Sequence, residues 1–121
     1  MQKLQPLQCD AIYLIFHSGS GGDNIFFERA NYEYFSSLAE RHLSCVCEIL
    51  DIGLKQNRVD LVVRIRSETE IPPRYRGMLH LPFSNLFNSY TKSINKRYKR
   101  QGSLFRRRFG RKRIEDFEMG I

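Results

Sequence analysis

The stretch Arg58 to Arg66, RVDLVVRIR, decides the fold. Val59, Leu61, Val63 and Ile65 fall at one set of alternate positions, and Arg58, Asp60, Val62, Arg64 and Arg66 at the other. Successive side chains on a strand point to opposite faces, so the run reads as a strand with one apolar and one charged side. Just upstream, Ser44 to Ile52 (SCVCEILDI) is a second β-prone run, and Gly53 to Asn57 (GLKQN) is short enough to join the two as an antiparallel hairpin. One side of such a sheet packs on helices and the other presents charge.

On the N-terminal side, Tyr32, Phe35, Leu38, Ala39 and His42 recur near helical spacing between about Glu28 and Leu43, with Glu33, Glu40 and Arg41 on other faces. That pattern predicts an amphipathic helix. Before it, Ala11 to Phe16 (AIYLIF) predicts a strand, and Ser18 to Asp23 (SGSGGD) a flexible loop. On the C-terminal side, Ser67 to Leu81 holds Pro72, Pro73 and Gly77 without a sustained period and reads as a loop. Pro82 suits the first turn of a second helix. Phe83, Leu86, Phe87, Tyr90, Ile94 and Tyr98 form its apolar stripe, with Lys92, Lys96, Lys99 and Arg100 on the flank and Gly102 as the stop. Ser103 to Ile114 (SLFRRRFGRKRI) follows as a basic extended segment or final strand. The order β-α-β-β-α-β predicts an α+β, ferredoxin-like antiparallel sheet with two helices on one face, in a single domain over residues 1–121. That fold hosts many functions and identifies none.

Composition narrows the class. With 121 residues, 41% apolar, nine Phe and six Tyr, the chain can bury a core without staples, which excludes disorder and a disulfide-built miniprotein. No apolar run approaches the ~20 residues of a membrane helix. The start MQKLQPLQCD lacks the order of a signal peptide, so a cytoplasmic chain is expected. Cys9, Cys45 and Cys47 cannot pair completely; Cys45 and Cys47, two apart on the expected strand, point the same way, so reduced thiols are expected.

The net charge of +7 is unevenly placed. From Lys92 to Arg113, twenty-two residues carry eleven Lys and Arg and no acid; nine bases and thirteen acids remain elsewhere, so the segment is +11 and the rest −4. The bases Lys92, Lys96, Lys99, Arg100, Arg106, Arg107, Arg108, Arg111, Lys112 and Arg113 are interleaved with Tyr90, Tyr98, Phe105 and Phe109. Arginine contacts phosphate bidentately and aromatic rings stack on unpaired bases, so nucleic acid is the expected partner. The other motifs carry less. Ser18-Gly19-Ser20-Gly21-Gly22 lacks the Lys-Ser/Thr ending of a nucleotide loop and reads as a mobile connection. His17, His42 and His80 have no i, i+2 or i+4 partner among them and read as structural or solvated.

The string Phe83 to Asp116, FSNLFNSYTKSINKRYKRQGSLFRRRFGRKRIED, resembles the single-tyrosine HUH transposases of small bacterial insertion sequences, including the REP-associated tyrosine transposases. Their pattern there reads like SYTKxxNKxYxRxGSLFxxxFKxxxVED. The match runs from Ser89 through Tyr90, Thr91, Lys92, Asn95, Lys96, Tyr98, Arg100, Gly102, Ser103, Leu104, Phe105 and Phe109 to Glu115 and Asp116. Tyr13 to Phe27 and Asn31 to Phe35 are similar to that family's first strand, Gly/Asn-rich loop and first helix, so the likeness covers nearly the whole chain.

The resemblance implies DNA transposition, with Mg²⁺ or Mn²⁺ held by a His-U-His pair on a strand, a tyrosine nucleophile on a later helix, and dimers that share that helix. This chain departs at both chemical elements. Where the family has Asn-His-U-His-Leu, it has Asn57-Arg58-Val59-Asp60-Leu61, and the first-strand position that is often His is Leu14. A same-face Arg58–Asp60 ion pair is expected in place of the metal. The sequence ends at Ile121 with no YIHxNPV-like stretch, while Tyr90 and Tyr98 fall on the apolar stripe as structural residues. The expectation is therefore a transposase-like protein that binds single-stranded or hairpin DNA without cleavage, with no metal cofactor, no catalytic residue, no membrane contact and a homodimer left open. The alternatives are an active metal-dependent nickase rebuilt around Asp60, and a basic RNA-binding ferredoxin-like module.

Overall fold

A computed structural model describes residues 6–115, so residues 1–5, and Asp116 at the end of the quoted match, lie outside the described residues. Four strands and two helices run in the order β1 (Ile12–Ser18), α1 (Arg29–Leu43), β2 (Cys47–Lys55), β3 (Arg58–Ile65), α2 (Leu81–Arg97) and β4 (Gly110–Ile114). The sheet order is β2-β3-β1-β4, with every neighbour antiparallel. This is the ferredoxin-like α+β arrangement expected from the element order. No helix among the described residues is long and apolar enough to cross a membrane.

Strand alternation sets the two faces. Tyr13, Ile15 and His17 on β1 are buried together with Val59, Leu61, Val63 and Ile65 on β3. Both helices pack on this side: α1 supplies Phe35, Leu38, Ala39 and Leu43, and α2 supplies Phe83, Leu86, Phe87, Tyr90 and Ile94. The helices meet through Phe35, whose ring centre is 5.2 Å from that of Tyr90 and 6.2 Å from that of Phe87. Each fully buried large apolar side chain contributes about 1.5–3 kcal/mol. The opposite face is uncovered by any described element.

Local chemistry fixes the helix ends. A reciprocal capping box starts α1: the Glu28 side chain accepts from the Asn31 backbone, and the Asn31 Oδ1 accepts from the backbone N–H of Glu28 at 3.0 Å and of Phe27 at 2.7 Å. Pro82 lies in the first turn of α2, as expected. That helix stops at Arg97, earlier than Gly102. Tyr98 caps it and Lys99 takes the left-handed conformation (φ 51°), so the turn out of the helix falls on a lysine. Lys99 and Arg100 are thereby in the following loop and not on the helix flank.

Three further expectations change. The β2–β3 connection is only Gln56 and Asn57, because Gly53 to Lys55 continue the ladder. Neither turn residue has a positive φ, although a two-residue hairpin usually favours one. Their carbonyls are instead used from outside: Gln56 accepts from Ile25 at 2.6 Å and Phe26 at 3.1 Å, and Asn57 from Gly19 at 2.9 Å. Next, β2 begins at Cys47, so Cys45 sits in the preceding turn and the two thiols do not share a strand face. All three cysteines are free, and burial pushes the Cys47 thiol up to about 12.

The glycine-rich connection after β1 is a built turn. Ser20 to Gly22 form a 3-10 turn, with Gly21 (φ 64°) and Gly22 (φ 83°) in the left-handed region that glycine occupies without penalty. The backbone N–H of Ser20 donates to the Leu104 carbonyl at 3.0 Å, and that of Arg106 to the Ser18 carbonyl at 2.9 Å. Residues 103–109 therefore cross the end of β1 before β4 begins. Leu104, Phe105 and Phe109 are buried, so half of the basic segment is anchored in the core by its own aromatics.

Candidate nucleic-acid interface

Alternation places Arg58 and Asp60 side by side on the uncovered face of β3. The Arg58 Nε donates to both Asp60 carboxylate oxygens, at 2.9 and 3.0 Å, and Nη2 lies 2.9 Å from Oδ1. The same guanidinium lies over the Phe16 ring, 4.9 Å from its centre. The ion pair expected from the sequence is therefore present. These residues do not fit a divalent ion: a cation already covers the carboxylate, and it would repel a second one.

The rest of the uncovered face carries charges of both signs. Arg64 pairs with Glu48 across β2–β3 at 3.0 Å, and Asp51 stands opposite Val62. Half-buried Ile12, Leu14 and Phe16 run along β1 between these charges and Lys112 on β4. The face does present charge, as expected: two ion pairs, Arg58–Asp60 and Arg64–Glu48, with Asp51, Lys55 and Lys112 beside them.

The excess positive charge lies elsewhere, and the ten expected contact residues divide into groups. Lys92 and Lys96 are exposed on α2 and stand four residues apart, one turn up the same ridge. Following that ridge downward gives Asn88 and Ser84. Arg106, Arg107 and Arg108 are exposed on the loop before β4. None of Lys92, Lys96, Lys99, Arg106, Arg107, Arg108 or Lys112 forms an ion pair with a described residue.

The remaining three are engaged or turned away. Arg100 donates to the Asn95 side chain at 2.5 Å, and Asn95 in turn donates to the Gly102 carbonyl, so this arginine ties down the loop after α2. Arg113, opposite Tyr13, donates to Gln8 at 2.5 Å and lies 3.4 Å from Glu115. Arg111 is half-buried opposite Ile15, with its guanidinium 4.6 Å from the Phe109 ring centre; burial works against its charge and lowers its affinity for the proton.

One cleft is lined by Arg107 and Arg108 of the second group and reaches α2 at Asn88, one turn below Lys92. It has a volume of about 440 Å³ and lies between the first half of α2 and the loop entering β4. His80, Ser84 and Asn88 form one wall, Arg107, Arg108 and Arg111 the other, and His17, Phe87 and Phe109 the apolar floor. Within the floor the His17 ring stacks on Phe105, with centres 4.4 Å apart and planes 13° apart, and meets the edge of Phe87 at 4.6 Å. Its Nε2 is 2.8 Å from the Arg106 carbonyl. A carbonyl only accepts, so Nε2 carries the proton and Nδ1 is bare. Burial holds the ring neutral by lowering its proton affinity, and the Nε2 hydrogen bond offsets this in part.

Sequence reasoning placed the bases but missed the cleft. His17 was legible, since it continues the Tyr13, Ile15 alternation onto the buried face. Ser84 and Asn88 carried no signal of their own, because their role comes from where residues 105–111 cross. The tyrosines behave as structural groups: Tyr90 is fully buried, donates to the Ile25 carbonyl at 2.7 Å, and has its proton affinity raised by burial. Tyr98 is half-buried and exchanges hydrogen bonds with Asn31.

No family model matches the chain, and no curated protein matches it.

Proposed function

We propose that this protein is a transposase-like module that binds single-stranded or hairpin DNA through the loop before β4 and the exposed ridge of α2, without cutting it. The observation that carries this reading is the cleft that sets unpaired Arg107 and Arg108 against Ser84 and Asn88, one helical turn below exposed Lys92, over a floor of aromatic rings. Cations that are already paired contribute little to a polyanion contact, and Arg58 and Arg64 on β3 are paired. The resemblance of residues 83–116 to single-tyrosine HUH transposases supports DNA as the polyanion. The Arg58–Asp60 pair supports binding without metal-assisted cleavage, since it stands where the resemblance implies two histidines and its cation already covers the carboxylate.

The test is fluorescence anisotropy of a labelled DNA hairpin with a single-stranded flank, titrated with the protein at several salt concentrations. Binding should weaken steeply with salt, with a slope set by the number of phosphates neutralised. Replacing Lys92, Lys96, Arg107 and Arg108 by Ala should flatten that slope. No binding at low salt would overturn the reading, and so would a matched RNA hairpin that competes more strongly than the DNA. A covalent protein–DNA adduct formed with Mg²⁺ or Mn²⁺ would overturn the absence of cutting.

A further inference from the structure

We infer that the cleft between α2 and the loop entering β4 receives one unpaired base of the bound strand, with the backbone continuing up the α2 ridge. This rests on the DNA-binding reading and adds what the cleft takes and how the strand is oriented. Three features converge. The volume, about 440 Å³, lies in the range of ligand pockets, about 300–1,000 Å³. The floor is aromatic, with the Arg111 guanidinium over the Phe109 ring, and an unpaired base stacks on rings and on guanidinium planes alike, while Arg107 and Arg108 on one rim suit its flanking phosphate. The other wall presents Ser84 and Asn88, which together offer hydroxyl and amide donors and acceptors to a base edge.

Direction follows from helix geometry. Ser84, Asn88, Lys92 and Lys96 succeed one another at four-residue intervals, a rise of about 6 Å per step. That is comparable to the phosphate step of an extended single strand. A nucleotide seated against Ser84 and Asn88 therefore places its neighbours' phosphates beside Lys92 and then Lys96. A double helix cannot deliver a base to such a recess without unstacking it, so the geometry favours a single-stranded flank over a duplex stem.

The experiment uses the full chain and a hairpin whose single-stranded flank carries one abasic site, moved position by position. One position should lose about tenfold or more in affinity, the scale of a lost base-stacking contact. Two variants locate the effect: Ser84→Met, which fills the recess, and Asn88→Glu on the exposed ridge, which puts a carboxylate at its mouth. Both should bind the intact hairpin more weakly, and in both the abasic penalty should vanish. Circular dichroism shows that each is folded. If abasic sites cost the same everywhere while binding remains tight and salt-dependent, the base recess is wrong and the DNA-binding reading stands. If the single-position penalty persists in both variants, the base sits elsewhere and the inference also fails. Absence of any DNA binding overturns both.

Discussion

Arg58 and Asp60 are joined along β3 by Nη2–Oδ1 contact at 2.9 Å, and the arginine also covers the Phe16 ring of β1 at 4.9 Å. The pair cancels one cation against one anion on the uncovered sheet face. The exposed cations of α2 and of the loop before β4 have no such partner. The proposed DNA contact and the Arg58–Asp60 pair therefore lie on different surfaces.

Both partners of that pair are more than a quarter exposed, so water and salt weaken the attraction. A double-mutant cycle with Arg58→Ala and Asp60→Ala, followed by urea denaturation, should give a coupling of no more than about 1 kcal/mol. A coupling of several kcal/mol would mean that the pair holds the sheet together.

The same positions allow a gain-of-site test. Arg58→His with Asp60→His places two imidazoles at i and i+2 on one strand face, where they project together. Added Zn²⁺ or Co²⁺ should raise the thermal midpoint of the double variant and leave the parent chain unmoved. A parent chain that is stabilised equally would show that Asp60 binds the ion despite Arg58.

Two glycines should respond very differently to alanine. A Cβ on Gly19 would lie 1.8 Å from the backbone carbonyl of Asp23, on the far side of the 3-10 turn, so backbone must move. A Cβ on Gly110 would lie 2.2 Å from the tip of the Phe16 ring, which is half-buried on the uncovered face and can swing toward solvent. Gly19→Ala should cost about 1–3 kcal/mol. Gly110→Ala should cost less, and Phe16→Leu should remove most of that cost. Equal losses in denaturant titrations would contradict this account.

The contrast between those glycines shows what was legible in the sequence. The alternation of Val59 to Ile65 and the stripe from Phe83 to Ile94 depend on periodicity, which a single chain displays, and both elements formed where the pattern put them. The two-residue turn at Gln56 and Asn57 depends on backbone donors from Gly19, Ile25 and Phe26, which lie thirty or more residues away. Lys99 in a left-handed conformation ended α2 where Gly102 looked the better residue, because the following loop is held by Arg100, Asn95 and Gly102. The basic residues were visible as a count. Their division into Arg100 and Arg113 as tethers, and Arg107 and Arg108 as cleft walls, depends on tertiary contacts that composition does not encode.

His17 gives the chain a pH dependence whose sign is fixed. In the unfolded state its imidazole titrates near the ordinary value of about 6.5. In the folded state burial beneath Phe105 and Phe87 lowers that value, and His42 is lowered as well, by burial and by Arg41. Below about pH 6.5 the unfolded chain therefore binds protons that the folded chain refuses. Stability should be fully present above that pH and lost as pH falls toward the lowered values, by at most about 1.4 kcal/mol per pH unit for each proton. Urea midpoints measured between pH 7.5 and pH 5 should show the loss. His17→Phe keeps an aromatic ring against Phe105 but gives up the hydrogen bond to the Arg106 carbonyl, so it should be less stable at neutral pH and have a shallower pH slope. The residual slope should disappear when His42→Gln is added. A His17→Phe variant with the parent's full slope would show that this ring does not resist protonation, and would place the loss on His42 or on the carboxylates.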